Sequence, residues 1–211
     1  MNKKNYISGK TIILIALLFF IAFCEALYND QKSNKYATAI TYIEDGKYDA
    51  AIEILEEFGG SYKKSDDYLV QAKNGKLKKD AKKAEESGDY DRAIELINQI
   101  DIDGYDYDAK KANKAAIDKL KLRKAISLYE CREYEDALLI FGELGCYEDA
   151  RSYYNKCISK IYDSICPTLY IKATNDAENG NYEEALETFE YISGYNNSDD
   201  WISALKEKLN K

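Results

Sequence analysis

The chain has 211 residues, of which 45% are hydrophobic and 32% charged, with 20 Tyr, one Pro, five Cys and no His. That length suits one ordinary domain or a short repeat array, and the missing His excludes Ser–His and Cys–His hydrolases and deprives a zinc enzyme of its commonest ligand. The formal charge is −8; after residue 27 the remaining 27 basic and 37 acidic residues leave −10, a balance not drawn to nucleic acid.

Residues 1–10 are polar and hold Lys3, Lys4 and Lys10. An uninterrupted apolar run follows from Ile12 to Cys24, and counting from Thr11 to about Leu27 approaches the ~20 residues that span hydrocarbon. Residues 11–27 are therefore expected to form a membrane anchor, with cleavage as a signal peptide as the alternative. Lipidation of Cys24 is a third reading, but Phe23 stands where a small residue is wanted. Lysines before the run, against Glu25 and Asp30 after it, place residues 1–10 in the cytoplasm and the body outside. Residues 28–34 read as a linker and residues 35–211 as the body.

The body repeats a phrase. Gly46-Lys-Tyr-Asp-Ala-Ala-Ile-Glu-Ile-Leu55 returns as Gly88–Ile97, Arg132–Phe141 and Gly180–Phe189, at spacings of 42, 44 and 48 residues. Each copy places Tyr two positions in (Tyr48, Tyr90, Tyr134, Tyr182) and Ala three further on (Ala51, Ala93, Ala137, Ala185). A second Ala lies seven residues before each phrase: Ala39, Ala81, Ala125 and Ala173. Gly takes the left-handed conformation that ends one helix. The acids after it favour the first turn of the next, and paired Ala let two helices approach. After each second helix comes a Gly–Tyr loop: Gly60 with Tyr62, Gly104-Tyr105, Gly145 with Tyr147, and Gly194-Tyr195.

The pattern predicts an all-α chain. Helices are expected near 35–45, 48–58, 66–87, 90–100, 107–131, 134–144, 148–165, 168–179, 182–192 and 198–210, with breaks or kinks at Asn74-Gly75 and Pro167. The Gly88–Leu96 phrase resembles the junction between the two helices of a tetratricopeptide repeat. Ala137–Arg151 resembles a divergent relative common in bacterial proteins. The resemblance implies a helix-turn-helix array (a tetratricopeptide-like α-solenoid) of about four repeats, preceded by one hydrophobic helix. The period exceeds 34 residues, which calls for longer linking helices, for example within 106–131 and 148–179.

The resemblance also implies a non-catalytic protein that binds a protein or peptide on the concave face lined by first helices. Tyr36, Lys78, Lys82, Lys119, Arg123, Tyr129 and Tyr170 are the candidate groove residues. Lys119 and Arg123 match two positions of a carboxylate-clamping groove, whereas Tyr36 and Ile40 stand where that clamp needs Lys and Asn. A glycan- or wall-polymer-binding module using groove tyrosines, and a purely structural assembly part, are the alternatives. No cofactor and no metal are expected. Paired acids such as Glu85-Glu86 read as solvated faces, and the acid-dense Asp101–Asp108 stretch lacks the closing Glu of a calcium loop. The cysteines lack C-x-x-C pairs and read as small buried hydrophobes, or as two disulfides if exported.

Overall fold

A computed structural model describes residues 9–60, 62–102 and 106–210. Among the described residues there are nine helices and no strand: α1 (Gly9–Glu44), α2 (Tyr48–Glu56), α3 (Ser65–Glu86), α4 (Tyr90–Asn98), α5 (Tyr107–Glu130), α6 (Tyr134–Leu144), α7 (Ala150–Glu178), α8 (Tyr182–Tyr191) and α9 (Ser198–Leu209). The chain divides into two compact units, one up to Asn113 and one from Lys114.

The repeated phrase has a backbone cause. At the end of α1 the Gly46 N–H donates to Ile43 O at 3.0 Å and the Lys47 N–H to Tyr42 O at 2.8 Å. This crossed pair is a Schellman motif, and it needs a left-handed residue between its two bonds. The same pair recurs at Gly88 and Asp89, at Arg132 and Glu133, and at Gly180 and Asn181. The left-handed residues have φ of 69° at Gly46, 80° at Gly88, 67° at Arg132 and 89° at Gly180. A second left-handed residue follows the loop tyrosine: Lys63 after Tyr62, Glu148 after Tyr147 and Asn196 after Tyr195, with φ of 49°, 44° and 51°. There the N–H two residues on returns to the tyrosine carbonyl, as Ser65 to Tyr62, Ala150 to Tyr147 and Ser198 to Tyr195. Gly104 and Tyr105, with Asp103, lie outside the described residues, as does most of the 1–10 segment.

In the unit up to Asn113, α1, α2 and α3 enclose a core of Tyr36, Ala39, Ile43, Ala51, Leu55, Phe58 and Ala72. α4 adds buried Ala93 and Leu96 opposite the buried Ala81 of α3. In the second unit, α5, α6 and α7 bury Leu122, Ala125, Ala137, Phe141, Ala150 and Cys157. α7, α8 and α9 bury Cys166, Ala173, Ala177, Ala185, Phe189, Ile192 and Leu205. The alanines of the phrase, Ala51, Ala93, Ala137 and Ala185, have no exposed surface. Fully burying each of the larger side chains contributes about 1.5–3 kcal/mol. Rings fill what the alanines leave: Phe141 stacks on Tyr153 with centroids 5.2 Å apart, and Phe189 on Trp201 at 5.5 Å.

Helix continues through three places where a start, break or kink was expected. Residues 28–34 are helical, because α1 runs unbroken from Gly9 to Glu44. Polarity changes there, but no Gly or Pro interrupts the helix. Asn74-Gly75 lies inside α3. Asn74 is tied to the chain after α4, donating from Nδ2 to Asp101 O at 2.6 Å and accepting from the Asp101 N–H at 2.9 Å. Gly75 gives room to the ring of Tyr48. Pro167 lies inside α7, which is one helix of 29 residues where two were expected. Its neighbour Cys166 is buried with Ala173 in the α7–α8–α9 core, so packing on both sides of the proline outweighs its cost of about 3 kcal/mol.

α3 and α7 each serve two hairpins. Ala72 closes the α1–α2 core and Ala81 opens the next hairpin. On α7, Ala150 and Cys157 close one core and Cys166, Ala173 and Ala177 open the other. This sharing accounts for a period longer than 34 residues.

Candidate partner groove

α1 and α3 are successive first helices, and the cleft between them is a candidate groove. It has a volume of about 530 Å³. Ile43 and Glu44 of α1 form one wall, and Asp67, Val70, Gln71 and Lys78 of α3 the other. Tyr48 forms the floor beside Gly75. Positions 67, 70, 71, 74 and 78 share a face of α3 because a helix returns every 3.6 residues. Val70 is 40% exposed there, an apolar side chain open to solvent between carboxylates and Lys78. The cleft presents apolar surface from Ile43, Tyr48 and Val70 beside charges of both signs.

The lysine stretch of α3 splits between two faces. Lys78 lines the groove and Lys82 lies one turn on, exposed and 3.9 Å from Glu86. Lys76, Lys79 and Lys83 face a second cleft of about 460 Å³, with Tyr42, Lys47 and Asp49. There Lys76 pairs with Asp49, and Lys79 Nζ donates to Gly46 O at 3.0 Å. The Lys76 bond holds the Asp49 carboxyl below the usual carboxylate range, and Asp49 in turn raises Lys76.

The expected groove tyrosines lie elsewhere. Tyr36 is a core residue, 8% exposed, its ring edge-on to Phe58, Tyr62 and Tyr68 at 6.1, 5.4 and 5.9 Å. In the second unit Tyr129 packs edge-on to Tyr134 and Tyr153, both at 5.4 Å. Tyr170 packs on Phe189 at 5.6 Å and its hydroxyl bonds Asn197. Each of these side chains points into its hairpin because two Ala in every repeat leave space that only a ring fills. Lys119 and Arg123 are exposed on α5 in the second unit. The junction tyrosines Tyr48, Tyr90, Tyr134 and Tyr182 are half-buried. Sequence reasoning missed Val70; it ends the apolar Tyr68-Leu69-Val70 triplet of α3, and the sequence alone does not say which of the three faces solvent.

Among the described residues no three His, Cys, Asp or Glu side chains converge to hold a metal ion. The described cysteines are free: Cys157 and Cys166 are buried, while Cys24, Cys131 and Cys146 are exposed. The readings of small buried hydrophobes and of disulfides thus divide, with two of the five packed as hydrophobes and no pair bonded.

α1 is long and apolar enough to cross a membrane or to act as a signal anchor. From Leu14 to Tyr28 its apolar side chains are open all round: Leu14 is 58%, Phe19 73% and Phe23 61% exposed.

Residues 34–65, which comprise the end of α1, all of α2 and the first residue of α3, match the tetratricopeptide repeat family. No protein of curated function and no solved structure matches the chain. The matched unit, its recurrence through α8 and the shared long helices together make this chain a tetratricopeptide-like helical repeat protein.

Proposed function

We propose that the protein is a membrane-anchored, non-catalytic scaffold that holds a peptide or protein in the cleft between α1 and α3. Tetratricopeptide units are protein-interaction modules, which gives the class of partner. The observation that carries the reading is the open cleft of about 530 Å³ bounded on one side by the matched repeat, with Val70 exposed in it. A segment entering it would cover Val70 and meet Lys78 with a carboxylate.

The anchor is supported by the exposed apolar half of α1, because a helix that is hydrophobic all round is stable only in a protein core or a bilayer. With the lysines of residues 1–10 in the cytoplasm, the repeats lie outside. The packing of Tyr36, Tyr129 and Tyr170 against repeat cores favours this reading over a glycan site built on those rings.

Photo-crosslinking tests the groove. A benzophenone amino acid at position 70 of the full-length protein, in membranes of its source cells, is expected to capture a partner that the same probe at exposed Glu95 does not. Lys78→Glu should weaken that capture. Equal labelling from positions 70 and 95 overturns the assignment. Protease treatment of intact cells, with a C-terminal tag as readout, tests the orientation.

A further inference from the structure

α1 has a direction, and that direction decides which end of the first repeat lies against the bilayer. The helix leaves the apolar segment near Leu27 and continues without a break into Tyr36, Ala39 and Ile43 of the first core. α2 then runs back along it. The contacts fix the register. Lys35 pairs with Glu57 at 2.6 Å, and Lys32 Nζ lies 5.8 Å from the Phe58 ring centre and 4.6 Å from that of Tyr62. Tyr28, Gln31 and Lys32 line one small cleft with Phe58. The α2–α3 loop is thus at the end of the repeat nearest the apolar segment. The α1–α2 turn at Gly46 and the α3–α4 turn at Gly88 are at the far end, since Lys83 near the end of α3 shares a cleft with Gly46.

The level of this loop follows from helix geometry. At 1.5 Å per residue, Lys32 stands about 7.5 Å beyond Leu27 along the axis. Each headgroup layer is about 5–7 Å thick outside a ~30 Å hydrocarbon core. The loop therefore meets the outer edge of the headgroups. Its side chains are of the kind that settle there. Tyr28 is 64% exposed, and Tyr62 is held between Lys32 and Lys63, whose Nζ is 5.0 Å from its ring centre. Among the described residues neither lysine has a carboxylate within ion-pair distance, and Lys64 beside them is exposed. Aromatic rings and long cationic side chains are the usual occupants of a membrane interface.

We infer that Tyr28, Lys32, Tyr62, Lys63 and Lys64 form a footing that rests on the phospholipid headgroup layer and holds the first repeat upright, with its Gly46 end away from the membrane. The footing rests on the anchor reading above. A flexible tether would allow any part of the repeats to approach the bilayer; an unbroken helix allows this one.

The test uses the full chain in nanodiscs of zwitterionic and anionic phospholipid, with Cys24, Cys131 and Cys146 changed to Ser. A fluorophore is placed by Lys63→Cys, or by Ser87→Cys at the other end of α3, about 34 Å away along that helix. Nitroxide on the lipid headgroups should remove most of the emission at position 63 and leave that at position 87 at full intensity. Flotation with the membrane but equal quenching at both positions overturns the footing while the anchor stands. Failure to float with liposomes overturns the anchor and the footing with it. The Lys32→Glu, Lys63→Glu double variant should still float and lose quenching at a label on position 64; unchanged quenching there overturns the role of the two lysines.

Discussion

The ring of Tyr48 lies against Gly75 so closely that a side-chain carbon on that glycine would overlap it. One residue begins α2 and the other sits in the middle of α3, so the glycine sets how near the two helices can come. Exchanging a mid-helix Gly for Ala ordinarily stabilises by about 1 kcal/mol. Here the overlap is expected to reverse the sign, with Gly75→Ala costing about 1–2 kcal/mol as overpacking does. In a Tyr48→Leu background the same change should stabilise. Urea unfolding of the four members of this cycle measures both terms.

Arg132 stands in the place that glycine holds at the other helix ends, with φ of 67°. A side chain in the left-handed region costs about 1–2 kcal/mol, and glycine returns part of that through the freedom of its unfolded chain. Arg132→Gly is expected to stabilise the second unit by about 0.5–1 kcal/mol. A lower thermal midpoint than the parent contradicts this.

Ser65 and Ser198 begin α3 and α9 at equivalent places, and both are buried. Ser198 Oγ donates within reach of two carbonyls, Tyr195 O at 2.6 Å and Ile192 O at 2.9 Å. The Ser65 hydroxyl has no partner among the described residues, and the equivalent first residue of α7 is Ala150. Ser65→Ala should therefore be neutral or stabilising by about 1 kcal/mol, and Ser198→Ala destabilising by about the same amount. Chemical denaturation midpoints of the two variants should move in opposite directions.

Thiol reagents should separate the cysteines by location. Cys131 and Cys146 are expected to react in the native protein, whereas Cys157 and Cys166 react only on unfolding. Burial raises the Cys157 thiol above its ordinary value, and Glu135 adds to the effect, so the reactive thiolate is scarcer there. Mass spectrometry after brief alkylation reads each site.

Lys121 donates to Glu143 at 2.7 Å and joins α5 to α6. That hydrogen bond, with the lysine charge, holds the Glu143 carboxyl below its ordinary value of 4.5. The group binds its proton more readily when unfolded, so the bond favours the fold above that value and the advantage fades as acid drives the pH through the lowered one. The pair is exposed, so the effect is small. Lys121→Met should return Glu143 to the titration of other surface glutamates in a carboxyl-resolved NMR experiment.

The hairpins were readable because their causes are local. A left-handed residue, acids in the next first turn and a buried Ala recur in phase, and Arg132 takes the glycine place without hiding the pattern. The interruptions were misread for the opposite reason. Gly75 and Pro167 are helix breakers as isolated residues, but the packing of Tyr48 against one and of Cys166 beside the other comes from distant parts of the chain. The turn from apolar to polar residues after Leu27 leaves the backbone of α1 helical, because no Gly or Pro accompanies it. Lys78, expected on a first helix, lines the cleft between α1 and α3. Tyr36 was not, since helix membership alone does not say which flank of the helix meets Phe58 and Tyr68.

The double service of α3 and α7 also bears on how such a chain can change its length. In an array of separate hairpins, a copying error that drops one hairpin leaves its neighbours whole. Here, removing the segment from Tyr48 to Ser87 would take away both the lid over Tyr36 and the partner of Ala93. Gene-level gain or loss is therefore tolerated only when the join falls at equivalent points within the long helices, for example between Ala72 and Cys157, so that each half still meets the surface it was shaped to cover.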